Sequence, residues 1–213
     1  LLNGTTNGEA GEQITLTQYD RRYEVGSGLE PMLTQQNLRN RVSYTLVRNS
    51  AMDGSNYHAG TFYTYDVHGN VDTLLQHYRG VSAMSSDPYK MIAYDYDLIS
   101  GKVNGVEYQP RYNNGVGMVI PADRFFHRYR YDAENRLVEV ETSRDALIWE
   151  RDAAYRYYKH GPLARTEIGQ LSVQGVDYAY TLQGWLKGVN SVTTSNSYDI
   201  GADGTGVTAR DAY

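Results

Sequence analysis

The stretch 128–141, Arg-Tyr-Arg-Tyr-Asp-Ala-Glu-Asn-Arg-Leu-Val-Glu-Val-Glu, decides the fold. Side chains alternate along an extended chain, so Tyr129 and Tyr131 share one face and Arg128 and Arg130 the other. Asp132-Ala133-Glu134-Asn135 supplies turn chemistry, because Asp and Asn bond nearby backbone and tolerate unusual dihedrals. Val138 and Val140 then alternate with Glu139 and Glu141. With residues 132–135 as the loop, Tyr131 faces Arg136, Tyr129 faces Val138 and Arg128 faces Glu139. That register joins aromatic to β-branched residues on one face and opposite charges on the other, the pairs that stabilise antiparallel strands. The stretch is therefore expected to be a β-hairpin.

The hairpin recurs. Tyr63-Thr-Tyr65-Asp66-Val-His-Gly69-Asn-Val71 repeats it, and so does Tyr94-Asp-Tyr96-Asp97-Leu-Ile-Ser-Gly101-Lys-Val103, with a turn one residue longer. Tyr155-Arg-Tyr157-Tyr158-Lys-His-Gly161-Pro-Leu163 and Tyr178-Ala-Tyr180-Thr181-Leu-Gln-Gly184-Trp-Leu186 are a degenerate fourth and a fifth copy. The second tyrosines fall at 65, 96, 131, 157 and 180, at intervals of 31, 35, 26 and 23 residues. Units of that length cannot bury their own faces and must stack. In the first of these copies the register of the 128–141 hairpin does not transfer cleanly, since it sets Tyr63 opposite Asp72.

Composition agrees with strands. The 213 residues hold 21 tyrosines against 3 phenylalanines and 2 tryptophans, and 21 glycines. A ring with a polar tip suits strands buried at the body and wet at the hydroxyl. The chain is expected to be all-β, with residues 1–13 a loop or linker, 14–190 the repeat sheet and 191–213 a Gly/Ser/Thr-rich linker. Within 14–190, Arg41–Arg48 reads as a strand, 49–60 as a loop and about 104–123 as a long surface-loop insertion. A short helix fits Leu33–Leu38 only weakly.

A net charge of −5 gives no reason to expect nucleic acid or an anionic membrane as partner. The absence of cysteine excludes disulfides, thiolate metal sites and a cysteine nucleophile. No run approaches the roughly 18 apolar residues of a membrane helix, so no membrane insertion of this segment is expected. The opening Leu1-Leu2-Asn3-Gly4 lacks Met and a signal-peptide pattern, and reads as part of a longer polypeptide.

The tandem Tyr-Asp hairpins resemble the YD repeats of RHS-repeat proteins, a family that includes bacterial polymorphic toxins, the C component of insecticidal toxin complexes and animal teneurins. Residues 157–165 and 173–190, which include Tyr-Tyr-Lys-His-Gly-Pro-Leu and Tyr-Ala-Tyr-Thr-Leu-Gln-Gly-Trp-Leu-Lys-Gly-Val-Asn, look like a block found in long bacterial RHS proteins. The resemblance covers about 14–190. It implies a spiralling antiparallel sheet forming part of a hollow β-shell that, in relatives, encloses a C-terminal toxin. Relatives also carry a self-cleaving Asp-Pro-x-Gly pair. The Asp-Pro here, Asp87-Pro88, is followed by Tyr89-Lys90, so that role does not carry over.

Candidate chemistry is thin. His58, His68, His77, His127 and His160 lack metal-ligand spacing, and the recurring Asp66, Asp97 and Asp132 are what turns require. Asp199-Ile-Gly201-Ala-Asp203-Gly204 faintly resembles a calcium loop, but Gly201 stands at its third position and Arg210 at its twelfth. Arg124–Tyr131 interleaves basic and aromatic residues as single-strand binders do, which strand alternation already explains. Gly115-Val-Gly117 has no helix signal behind it, unlike a phosphate loop. No catalytic, cofactor or metal residue is therefore expected.

The expected function is structural: a non-catalytic wall segment enclosing a C-terminal effector or toxin. Its main partner is the rest of its own polypeptide, and secretion or surface-anchoring proteins are further partners. From the resemblance, the location is secreted or cell-surface. The alternative is a cell-surface adhesin or carbohydrate-binding repeat protein that stacks Trp185 and outward tyrosines on sugars. A glycosidase with a carboxylate pair is a third reading, which abundant Asp and Glu alone support.

Overall fold

The computed structural model describes residues 12–23, 29, 31–50, 57–190 and 200. Among these the chain is all-β, apart from one 3-10 turn at Ser82–Met84. The strands are β1 (Glu12–Tyr19), β2 (Val42–Ser50), β3 (Ala59–Tyr65), β4 (Val71–His77), β5 (Tyr89–Tyr96), β6 (Val103–Tyr108) and β7 (Tyr112–Asn113). They continue with β8 (Met118–Val119), β9 (Phe125–Tyr131), β10 (Leu137–Ser143), β11 (Glu150–Tyr157), β12 (Leu163–Ile168), β13 (Gln174–Tyr180) and β14 (Leu186–Val189). The repeat sheet thus begins at Glu12, two residues before the expected boundary. The insertion expected as loop over 104–123 contains most of β6 and the small β7–β8 hairpin. Gly105 lies inside β6, and the reversal is made at Asn114, whose Oδ1 accepts from the N–H of Val116 and of Gly117. No helix forms over Leu33–Leu38.

The chain forms two compact units, Leu1–Asp95 with Glu107–Arg124, and Tyr96–Val106 with Phe125–Tyr213. In the first, β1 to β5 pair antiparallel in chain order. Cross-strand partners build a row Tyr44–Phe62–Leu75–Met91 on one face, with Phe62 and Leu75 essentially inaccessible. Leu29 and Leu33, from the long β1–β2 connection, join this cluster with Leu46 and Tyr57, and Tyr23 packs against it. Each such large apolar side chain contributes about 1.5–3 kcal/mol by leaving water. The described residues of the connection form a lid over their own sheet.

Buried glutamines pin both insertions of this unit. Gln35 Nε2 donates to the carbonyls of Ser43 and Tyr63, and its Oε1 accepts from Tyr23 N–H. Gln109 Oε1 accepts from Met91 N–H while its Nε2 reaches Tyr89 O. A glutamine amide has one acceptor and two donor hydrogens, so each side chain stands in for the missing neighbour strand.

In the second unit β9 to β14 again pair in chain order. Tyr129, Val140 and Ala153 are partnered on one face, with Tyr155, Thr166 and Val176 continuing it. The other face is ionic. Arg128 pairs with Glu141 at 2.8 Å, Arg130 with both Glu139 and Glu141, and Arg165 with Asp177 and Glu167. Alignment of the hairpins sets Arg128–Glu141 where the first unit has Phe62–Leu75. One backbone position carries an ion pair in one unit and an apolar pair in the other.

The expected register of 128–141 needs correction. Tyr131 pairs with Leu137, not Arg136; Tyr129 with Val140, not Val138; and Arg128 with Glu141, not Glu139. The turn uses one more residue than expected, and a bulge at Val138 takes up another. The two offsets sum to an even shift, so the predicted faces survive while the partners change. The same bulge resolves the Tyr63 conflict: Asp72 is the bulged residue, and Tyr63 meets Leu74.

Candidate functional site: the tyrosine–aspartate hairpins

All five hairpins found in the sequence share one turn. Asp66 N–H donates to Asn70 O, Asp132 to Arg136 O, Tyr158 to Pro162 O and Thr181 to Trp185 O, while the longer third turn closes from Asp97 to Lys102 O. A residue with positive φ sits inside each: Gly69, Gly101, Asn135, Gly161 and Gly184. Glycine and asparagine recur there because other side chains crowd the backbone in that region.

The aspartate carboxylates complete the turns. Asp66 Oδ1 accepts from Gly69 and Asn70 N–H, Asp132 Oδ1 from Glu134 and Arg136, and Asp97 Oδ1 from Ile99. The Asp132 carboxyl is held below its ordinary value, first by the Arg136 N–H and then by the Arg136 guanidinium. Asp97 is lowered chiefly by the Ile99 N–H and the Ser100 hydroxyl. For Asp66, desolvation pushes upward, but hydrogen bonds from Asn70 and Gly69 prevail and lower it.

A sixth copy exists that the sequence pattern missed. Asp20 N–H donates to Arg41 O, Asp20 Oδ1 accepts from Asn40 N–H, and Asn40 has φ of 58°. Tyr19 pairs with Val42 across a bulge at Ser43, just as Tyr131 pairs with Leu137 across one at Val138. Between Asp20 and Val42 lie residues 21–41, where the Asp132 turn needs only 133–136. The signal that could have found it is Tyr19-Asp20 ending one strand and Val42 opening the next.

The second tyrosines staple successive hairpins together. Tyr65 Oη donates to Val42 O at 2.8 Å, Tyr131 Oη to Val103 O at 2.9 Å, and Tyr157 Oη to Leu137 O at 2.7 Å. Each acceptor is the first residue of the preceding hairpin's return strand. The β10–β11 ladder has ended at Glu139–Ala154, so the Leu137 carbonyl would otherwise lack a strand partner. Burial raises all three phenols above the ordinary tyrosine range, which keeps the donating form. Phenylalanine could fill the space but could not make the bond.

The remaining candidates are dispersed. His77 Nδ1 lies 2.6 Å from Tyr57 Oη and its ring stacks on Tyr89. His127 contacts Phe125 and Tyr129, His160 stacks on Tyr158, and His68 is 3.9 Å from Asp66. His58 accompanies Gly80, which donates its N–H to His58 O. Among the described residues no three His, Asp or Glu side chains come together as a metal-ion group. In the basic-aromatic run, Arg124 meets Glu107, and Arg128 and Arg130 meet Glu141. Asp87 accepts from Lys90, which also donates to Asp123. Trp185 is 74% exposed on the β13–β14 hairpin. Gly115 and Gly117 belong to the β7–β8 turn. Of Asp199–Arg210, only Ile200 falls within the described residues.

No protein-family model matches the chain, and no curated protein matches it. Among solved structures it is similar to the crystal structure of TcdB2-TccC3-Cdc42, at 12% identity and a TM-score of 0.49, covering 76% of this chain and 7% of that one. It is also similar to TcdB2-TccC3 without its hypervariable C-terminal region, at 11% identity and a TM-score of 0.47, covering 84% and 9%. For TcdB2-TccC3 itself the identity is 11% and the TM-score 0.23, covering 78% and 10%. The chain spans no more than a tenth of the length of these structures. The RHS reading accordingly rests on the hairpins themselves, six turns of differing length that each close with a backbone N–H on the carbonyl just before the return strand.

Proposed function

We propose that this chain is a wall segment of an RHS-type β-shell, that it encloses a C-terminal effector or toxin of its own polypeptide, and that it works without a catalytic, metal or cofactor site. The observation that carries this is the staple: the hydroxyls of Tyr65, Tyr131 and Tyr157 each tie one hairpin to the return strand before it, so the unit extends by repetition. On this reading the polypeptide is secreted or displayed at a cell surface. The test is limited proteolysis of the natural polypeptide containing these residues. The enclosed segment should resist protease in the intact protein and become sensitive in a Tyr131→Phe, Tyr157→Phe double variant. Equal sensitivity in both would end the proposal.

A second reading, sugar binding at the cell surface, is favoured by the exposed Trp185 alone. A glycan array separates the two: hits that vanish in Trp185→Ala support binding, and an array without hits removes it.

A further inference from the structure

Among the described residues asparagine is followed directly by glycine twice, at Asn104-Gly105 and at Asn114-Gly115. In such a pair the glycine's backbone nitrogen can attack the asparagine's own side-chain amide, because glycine has no Cβ to crowd the approach. The two pairs stand in opposite settings. Asn104 and Gly105 lie inside β6, beside β9 in the sheet. The ladder holds their backbone extended, so closing a five-membered ring there first requires local opening of the strand. Asn114 and Gly115 lie in the turn between β7 and β8, where every residue from Asn113 to Gly117 is exposed. Gly115 has a φ of 88°. Its N–H meets Asn113 Oδ1 at 2.9 Å, and Asn114 Oδ1 accepts from the N–H of Val116 and of Gly117, each at 3.0 Å.

We propose that Asn114 is a self-modifying site, converting through a cyclic imide to a mixture of aspartate and isoaspartate with no reagent but water. The proposal is independent of the wall reading. Gly115 N forms a bond to Asn114 Cγ as the Cγ–Nδ2 bond breaks, and ammonia leaves with the proton from Gly115 N–H, passed on by water. Water then adds to either imide carbonyl and reopens the ring. In the first step negative charge develops on Asn114 Oδ1, where the Val116 and Gly117 N–H groups already point. Nucleophile and target belong to adjacent residues, so the attack is intramolecular. The product lies beside the lid: a Cβ on Gly115 would come 3.3 Å from Pro31 Cγ. Conversion therefore places a new carboxylate next to that contact and, in isoaspartate, an extra main-chain carbon.

The experiment incubates the natural polypeptide containing these residues at neutral pH and physiological temperature. Peptide mapping by mass spectrometry then follows conversion at Asn114 and Asn104, with synthetic peptides of residues 109–121 and 101–108 as unfolded references. Asn114 should convert within threefold of the rate in its peptide and yield both isoaspartate and aspartate. Asn104 should convert at least tenfold more slowly than in its own peptide. Asn114→Gln, whose ring would need six members, should lower conversion at that position at least tenfold. The proposal is overturned if Asn114 falls more than threefold behind its peptide, or if Asn104 keeps pace with it. Aspartate formed without isoaspartate, or conversion undiminished in Asn114→Gln, would overturn the cyclic route.

Discussion

The hydroxyl of Tyr157 donates to the carbonyl oxygen of Leu137, 2.7 Å away, past the point where their strands stop pairing. Leu137 is itself the partner of Tyr131, so one residue receives two tyrosines from successive repeats. Tyr157→Phe should lower the opening free energy of the β10–β11 amides by about 1 kcal/mol, the net worth of one such bond. Tyr155→Phe, whose ring lies on the same strand without a comparable staple, should change it by less than about 0.5 kcal/mol. Native-state hydrogen exchange reads both.

The buried amide of Gln109 makes an equally local prediction. Gln109→Ala leaves Met91 N–H and Tyr89 O without their side-chain partner, at a cost of about 1–3 kcal/mol. Exchange should rise at Met91 while the distant amides of β10 stay unchanged.

The ion pair and the apolar pair at equivalent positions can be exchanged. Glu141→Leu alone leaves Arg128 and Arg130 without their shared carboxylate and should cost about 1–2 kcal/mol. Adding Arg128→Phe, which copies the Phe62–Leu75 pair, should recover at least half of that loss. A double-mutant cycle by thermal unfolding of the natural polypeptide containing these residues measures the coupling.

His77 should make the first unit acid-sensitive. Burial first, and the Arg79 charge second, hold its imidazole below the ordinary histidine value. A base depressed in the folded state contributes stability that is complete above its unfolded value, about 6.5, and is lost as pH falls through the folded one. The melting temperature of the natural polypeptide containing these residues should therefore decline below about pH 6.5. His77→Gln should flatten that decline. The turn carboxylates Asp97 and Asp132 are lowered as well, so their contribution is lost only in stronger acid, below about pH 4.

The strand pattern and five of the six turns were legible because turn chemistry is local: an aspartate, tyrosine or threonine closing the strand, a glycine or asparagine three or four residues on, then an apolar residue. Register was not, since a bulge such as Val138 leaves no mark in an alternating sequence. The copy at Tyr19-Asp20 was hidden because its turn runs from 21 to 41. The lid was hidden for a related reason: Leu29, Leu33 and Gln35 are buried singly, without a period that could announce a face. Only geometry shows that the tyrosine hydroxyls are staples, because a composition rich in tyrosine does not say which carbonyls they reach.

The central claim is that this chain is one stretch of a wall completed by neighbouring strands. Among the described residues the outer edges of β1 and β14 are unpaired, with Leu16, Leu186 and Val189 exposed along them. Open edges of this kind recruit other strands. The most direct measurement is analytical ultracentrifugation of residues 1–213 expressed alone, followed by thermal melting. The account predicts self-association through the edges and no cooperative monomeric transition; a soluble monomer that melts cooperatively would contradict it.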